Sequence, residues 1–156
     1  MVTVEGQLYA SSLDVGGGVL ALFGKVIQID SSTIGGDLKA KNLSGAPSNQ
    51  DAVSIVINQV GGNLIVKYNR GGTGDFLVST DTVHGKENVS LNQIPGDLAV
   101  TAEDVRGGDL DVTYNTGVGT KEVDGNSSNT LIACNHNDSP FESHGNSAPK
   151  VSGQCH

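Results

Sequence analysis

Several residue types that build an ordinary globular core are scarce in this 156-residue sequence, which contains no Trp, one Met and three Phe. A core must therefore come from Val, Ile, Leu and Ala, and the β-branched members of this set favour pleated, half-buried surfaces. The 22 Gly residues point the same way, because each Gly disfavours a helix by about 1 kcal/mol relative to Ala. The composition predicts an all-β protein with many turns, and the length suits one domain over residues 1–156.

Positive charge is also scarce, since nine Lys and Arg stand against 17 Asp and Glu and give a formal charge of −8. We expect no nucleic-acid partner, because phosphate binding requires Lys and Arg. No apolar run reaches the ~20 residues that span a bilayer, so membrane insertion is not expected. The first residues, MVTVEGQLYA, lack the basic and apolar regions of a signal peptide, although a mature domain with an added Met would look the same.

A short phrase, [V/I]-x-G-[D/N/Q]-L, is abundant instead. Its Leu opens a segment that alternates apolar and polar residues with the period of a β-strand, as in LIVKYN from Leu64 and LDVTYN from Leu110. One such unit cannot bury its apolar face alone, but stacked copies can. The copies are VEGQL from Val4, IGGDL from Ile34, VGGNL from Val60, IPGDL from Ile94 and, with one extra residue, VRGGDL from Val105.

The recurrence of this phrase predicts a right-handed parallel β-helix, a β-solenoid whose corners vary in length. We expect Leu64, Leu98 and Leu110 to stack in one aliphatic column. The alternative is an antiparallel β-sandwich in which Gly-Asn and Gly-Asp form hairpin turns. A sandwich does not require the same phrase to recur, so the solenoid is favoured.

The chain has two cysteines, Cys134 and Cys155, which both lie in its polar C-terminal part. A disulfide between them would fasten residues 129–156 as a final coil or cap, and it would indicate an oxidising compartment. Two free thiols are the alternative. A zinc site with the nearby histidines would need reduced thiols, and the spacings match no standard zinc finger.

The segments VGGNLIVKYN, NTLIACNHNDSP and the terminal GQC together resemble a group of small secreted bacterial proteins with irregular V-x-G-N-L repeats. Proteins of this group carry one Cys in the last repeat and another at the C-terminus. The resemblance covers residues 53–155. It implies a secreted β-solenoid with a Cys134–Cys155 disulfide. It brings no catalytic residues, because the group has no established activity.

Acidic residues recur at the corners that precede the strands. Asp37, Asp97 and Asp109 share this slot, and if stacked they could form a carboxylate ladder that binds Ca²⁺. The simpler interpretation is that each caps its own turn through the backbone. We expect no other cofactor.

The segment STDTVHGKE, residues 79–87, holds the densest mixture of titratable side chains: Asp81, His84, Lys86 and Glu87. Polysaccharide lyases with a β-helix fold use a basic residue to abstract a proton, and the hydrolases use spaced carboxyl groups. The segment is therefore the best candidate for the active site of a small lyase or glycoside hydrolase. A solvated, charged loop is the simpler interpretation.

We accordingly expect a secreted, non-enzymatic binding or structural module that presents a regular strand surface to a polysaccharide or another cell-surface component. Self-assembly into an extracellular oligomer or filament through the exposed ends of the solenoid is a further alternative. The residues expected to form the binding surface are the outward-facing Lys39, Lys41, Ile65, Lys67, Thr101, Asp111 and Thr113.

Overall fold

The structure, a computed structural model, describes residues 2–45 and 50–156. It is a parallel β-helix of about six turns, and neighbouring strands in its sheets run parallel to one another. The predicted solenoid is therefore confirmed, and the antiparallel sandwich is wrong. Among the described residues there is no helix of the length and apolarity needed to span a membrane.

Each turn, here called a coil, contributes one strand to each of three sheets, which we name A, B and C in the order in which the chain visits them. Sheet A consists of β1 (Val2–Val4), β4 (Val19–Leu22), β7 (Leu38–Lys41), β10 (Leu64–Lys67), β13 (Glu87–Ser90), β16 (Leu110–Thr113), β19 (Leu131–Asn135) and β21 (Lys150–Gly153). Sheet B consists of β2 (Gln7–Ser11), β5 (Val26–Asp30), β8 (Val53–Val56), β11 (Phe76–Ser79), β14 (Leu98–Thr101), β17 (Lys121–Asp124) and β20 (Phe141–His144). Sheet C consists of β3 (Asp14–Val15), β6 (Thr33–Ile34), β9 (Gln59–Val60), β12 (Thr82–Val83), β15 (Asp104–Val105) and β18 (Ser127–Ser128).

Coil 1 comprises β1–β3, coil 2 comprises β4–β6, and so on to coil 6 with β16–β18; the remaining strands, β19–β21, form the C-terminal end. The strands form because their residues alternate between the two faces. In β10, Leu64 and Val66 are fully buried and point inward, whereas Ile65 and Lys67 are partly exposed and point outward. Stacked inward residues build one aliphatic core along the whole axis.

The expected single Leu column is correct for Leu64 and Leu110 and wrong for Leu98. Leu64 and Leu110 both lie in sheet A, in register with Glu87 between them. Leu98 lies in β14 of sheet B. The phrase thus marks two different corners, C to A and A to B, because both need a tight Gly-containing turn immediately before a strand.

Close stacking explains the Gly in this phrase. A Cβ atom added to Gly85 would lie 2.7 Å from the carbonyl oxygen of Gly62 in the coil before it. No side chain fits at such a distance, so successive C-to-A corners repeat the same turn.

The corner that follows sheet A carries an inward-pointing Asn in each of the later coils. We call this set the asparagine ladder. Each Nδ2 donates to a strand carbonyl of the preceding coil, as Asn92 does to Val66 at 3.0 Å. Each Oδ1 accepts the backbone N–H of the residue at the same corner of the preceding coil, which is Leu43 for Asn69 and a ladder Asn for the others. Gln154 closes the ladder by accepting from Asn137 at 2.8 Å. The members are Asn69, Asn92, Asn115 and Asn137.

A second ladder of inward polar residues occupies the corner between sheets B and C. We call it the mixed ladder, because two of its members are carboxylic acids. Asn126, for example, donates from Nδ2 to the carbonyl of Val100 at 2.9 Å and accepts the N–H of Glu103 at 2.9 Å. The members are Ser32, Asn58, Asp81, Glu103, Asn126 and Asn146.

The C-terminal end is held by a disulfide between Cys134 and Cys155, whose Cα atoms lie 5.2 Å apart. The bond joins β19 to the last residues of the chain, and β20 and β21 continue sheets B and A beyond coil 6. The predicted pairing is confirmed, and a disulfide fits an extracellular location.

Candidate functional site

The corner after sheet A also contains one outward-pointing residue per coil, immediately before the inward corner position. Its backbone is left-handed, with φ of 54–61°. Neighbouring coils are about 4.8 Å apart, so these side chains form a continuous line along the axis. We call them the corner column: Phe23, Asn42, Tyr68, Leu91, Tyr114 and His136.

Large apolar side chains dominate the corner column, although it faces solvent. Phe23, Tyr68, Leu91 and Tyr114 are between 41% and 71% exposed. At one end of the line, the rings of Tyr114 and His136 stack in parallel with their centroids 4.6 Å apart. The result is an exposed strip from coil 2 to the C-terminal end that is apolar except at Asn42 in coil 3 and at His136.

The stability of the fold does not explain these residues. Gly and Asn adopt left-handed backbone most readily, and a bulky residue there costs about 1–3 kcal/mol. An exposed side chain recovers little of that cost by burial, and stacking such as that of Tyr114 returns only about 0.5–1.5 kcal/mol. The other left-handed corner, after sheet B, uses mostly small or polar residues: Ser12, Ser31, Ile57, Thr80 and Ala102.

An open groove of about 490 Å³ lies beside the corner column in coils 3–5. Tyr68 and Leu91 supply its apolar side. Two amides, a hydroxyl and a guanidinium group line the rest, so the groove offers hydrogen-bond donors next to an apolar surface. These polar side chains belong to Asn42, Ser44, Arg70 and Gln93.

The binding surface predicted from the sequence is divided between two sheets. Thr101 lies on sheet B, where its hydroxyl is 3.0 Å from that of Ser79. Lys67 connects the sheet A face to the corner column, because its Nζ lies 5.4 Å from the centroid of the Tyr68 ring. The Nζ atom of Lys39 forms a salt bridge with Oδ2 of Asp37 at 2.6 Å. The predicted residues on sheet A are Lys39, Lys41, Ile65, Lys67, Asp111 and Thr113.

The four predicted catalytic candidates do not converge. Asp81 and Glu87 are buried inside the solenoid, whereas His84 and Lys86 are exposed. Lys86 donates to Asp109 at 3.0 Å, and this bond raises the pKa of Lys86. The expectation of a solvated loop is wrong for Asp81 and Glu87, because the segment crosses from sheet B through sheet C into sheet A.

The three calcium candidates also lie at different corners. Asp37 and Asp109 precede strands of sheet A, whereas Asp97 precedes β14 of sheet B. The N–H of Asn63, at 2.8 Å, and then Lys39 lower the pKa of Asp37, while Thr130 and then Lys86 lower that of Asp109.

Asp97 accepts the N–H of Thr120 at 2.7 Å, so Asp37 and Asp97 each cap a backbone N–H of the next coil, whereas Asp109 is engaged by the side chains of Thr130 and Lys86. In the described part of the chain, no group of three His, Cys, Asp or Glu side chains is placed to hold a metal ion.

Comparison with models of protein families, with curated proteins and with solved structures finds no match to this chain. The corner column and its groove therefore carry the functional argument.

Proposed function

We propose that this protein is a secreted, non-enzymatic module that binds an extended polysaccharide along the corner column. The observation that carries the proposal is the recurrence of bulky, exposed side chains at left-handed positions, where Asn or Gly would be less costly. The Cys134–Cys155 disulfide supports an extracellular setting.

The chemistry of the strip matches that of a sugar chain. A pyranose ring has apolar C–H faces, which pack on aromatic and aliphatic side chains, and a rim of hydroxyl groups, which need hydrogen-bond partners. Tyr68 and Leu91 supply an apolar surface for the C–H faces, and Arg70 and Gln93 supply hydrogen-bond partners for the hydroxyl groups. One side chain per coil suits a ligand that repeats along its own axis. The formal charge of −8 favours a neutral polysaccharide over a polyanion.

The proposal is tested with Tyr68→Asn and Tyr114→Asn, because Asn is compatible with left-handed backbone and keeps the corner intact. Binding to a panel of soluble neutral glucans, xylans and mannans is measured by affinity electrophoresis and calorimetry. We expect each substitution to weaken binding at least about tenfold, which corresponds to about 1.4 kcal/mol.

Ile57→Asn is the matched control, since Ile57 is also exposed and left-handed but belongs to the other corner. It should bind as the wild type does. The proposal is wrong if no polysaccharide of the panel binds, or if the two Tyr variants retain full affinity.

A further inference from the structure

Three carboxyl groups are buried inside coils 4 and 5, beside a core that is mainly aliphatic. Asp81, Glu87 and Glu103 are each at most 1% exposed. Glu87 occupies the inward position of β13 that Leu64 and Leu110 occupy in the adjacent strands. Asp81 and Glu103 are consecutive members of the mixed ladder. We call the three residues the buried acid cluster.

Most oxygen atoms of the buried acid cluster lack a hydrogen-bond donor. This holds, within the described residues, for Oδ2 of Asp81 and for both carboxyl oxygens of Glu87 and Glu103. The charged groups that act on the cluster are its own members and Asp30, and all of them are acidic. Burying an ionised carboxylate among acidic groups costs a large amount of free energy. Protonation neutralises the carboxyl group and removes this cost.

The mixed ladder shows where a proton on Asp81 would act. Asn58 and Asn126 each use Nδ2 to donate to a strand carbonyl of the preceding coil, at 3.1 and 2.9 Å. Asp81 uses Oδ1 as these residues do, and accepts the N–H of Asn58 at 2.6 Å. The Oδ2 atom of Asp81 then stands where the asparagines have Nδ2, and this oxygen can donate a hydrogen bond only when it carries a proton.

A shared proton would likewise satisfy the two glutamates. The carboxyl groups of Glu87 and Glu103 lie close enough for each to act electrostatically on the other. Two neighbouring carboxylates repel, whereas a protonated carboxyl can donate to its neighbour.

We propose that the buried acid cluster is a proton-dependent lock: its members are held as carboxylic acids in the folded solenoid, and their ionisation at higher pH opens coils 4 and 5. The protein is thus built for acidic surroundings. Burial is the main cause that raises the pKa of Asp81, to about 8. Burial is the main cause that raises the pKa of Glu87 and Glu103 well above the ordinary value, followed by the charge of Asp81 for Glu87 and by the charges of Glu87 and Asp81 for Glu103.

The direction of the pH dependence follows from proton binding. In the unfolded chain these groups titrate near about 4, and in the folded protein they titrate higher. Between these values the folded state binds more protons, so the free energy of unfolding falls as the pH rises. The stabilisation is complete below about pH 4 and, for Asp81, it is lost as the pH rises through about 8.

The lock and the centre of the corner column belong to the same two coils, because Tyr68 and Leu91 follow the sheet A strands of coils 4 and 5. Opening these coils would break the strip in the middle and release its ligand. This consequence rests on the proposed function, whereas the lock itself does not.

The test measures thermal unfolding by circular dichroism from pH 4 to pH 9, together with hydrogen exchange of residues 64–105 and of residues 19–34. We expect the Tm of the wild type to fall by more than about 5 °C between pH 5 and pH 8. Exchange should increase in residues 64–105 first. Asp81→Asn supplies the missing Nδ2, so it should raise the Tm at pH 8 and flatten the profile.

Glu5→Gln is the control for the loss of one negative charge, since Glu5 is exposed; it should leave the fall in Tm unchanged. NMR titration of the carboxyl carbons of the wild type gives an independent result, even if the variant fails to fold. Carbons of Glu87 and Glu103 that remain in the protonated form above pH 6 support the lock. A Tm that does not depend on pH, or buried carboxyl carbons that titrate near about 4 as in an unfolded chain, would overturn it.

Discussion

The Oδ1 atom of Asn115 accepts two hydrogen bonds from Asn92, one from the backbone N–H at 3.3 Å and one from Nδ2 at 2.9 Å. The Nδ2 atom of Asn115 donates to the carbonyl of Val89 at 2.9 Å and to Oδ1 of Asn137 at 3.0 Å. One amide therefore satisfies buried polar groups on both neighbouring coils. At a corner where the strand ladder is interrupted, the asparagine ladder takes the place of water.

Asn115→Ala should be among the most destabilising single substitutions in the chain. It removes the acceptor of the buried backbone N–H of Asn92, one of the two acceptors of Asn92 Nδ2 and a donor to the carbonyl of Val89, and each buried polar group left unsatisfied costs about 1–3 kcal/mol. We expect the free energy of unfolding to fall by at least about 3 kcal/mol in urea titrations. Asn88→Ala is the control, because Asn88 lies on the outward face of β13; it should change stability by less than about 0.5 kcal/mol. Equal effects of the two substitutions would contradict the role assigned to the ladder.

Much of this architecture can be read from the repeated phrase. The alternation after Leu64 and Leu110 fixes which residues point inward, and it places both in sheet A. The phrase does not distinguish the two corners that use it. The phrase therefore predicts the wrong column for Leu98, since the turn before a strand looks the same whichever sheet that strand joins.

The buried acid cluster could have been found from the sequence. VHGKE, from Val83, is a copy of VGGNL, from Val60, with Glu87 in the slot of Leu64. A segment this rich in charge predicts a solvated loop, and Glu is almost never fully buried. The alternation of β13 nevertheless directs Glu87 inward, because the turn before this strand has the same shape as the corresponding turns in the adjacent coils.

The corner column is harder to predict. The pairs YN, LN and HN at Tyr68, Leu91 and His136 are visible in the sequence, but their exposure is not. Strand alternation predicts that Tyr68 continues the inward face of Leu64 and Val66. A left-handed residue at the corner reverses this direction, and such a turn is imposed by the stacked coils around it.

Glu87→Gln and Glu103→Gln should each stabilise the protein at pH 8, but their effects should not add. Removing one charge relieves the repulsion that acts on the other, so the second substitution gains less than the first. We expect an interaction free energy of about 1 kcal/mol in a double-mutant cycle by urea unfolding. At pH 4 this interaction free energy should be near zero, because both carboxyl groups are then protonated. Additive effects at pH 8 would show that the two side chains titrate independently.

The Cys134–Cys155 disulfide should stabilise mainly the C-terminal end. It closes a loop of 21 residues in sequence separation, for which chain entropy predicts about 3 kcal/mol. Adding a reductant should therefore lower the Tm and increase hydrogen exchange in β19–β21 before coil 2 is affected. A Cys134→Ala/Cys155→Ala variant should begin at the lower Tm and show no response to reductant. An unchanged Tm of the reduced wild type would mean that the last strands are held by packing alone.

Lys121 should be the amine that reagents reach last. It points into the core from β17, in register between Leu98 and Phe141, and its Nζ donates to the carbonyls of Gly117 and Gly119. Burial lowers the pKa of Lys121, and this alone would make it more reactive than the partly exposed Lys67 by increasing its neutral fraction.

If Lys121 does not react with an amine reagent, the cause is therefore its burial, because its lowered pKa by itself would increase its reactivity. We expect acetic anhydride at pH 8 to modify Lys67 and to leave Lys121 unmodified, as read by peptide mass spectrometry. In urea both should react, which controls for peptide recovery. Modification of Lys121 at the rate of Lys67 in the folded protein would show that the turn at residues 117–119 opens freely, and that the ammonium group does not fasten it to the core.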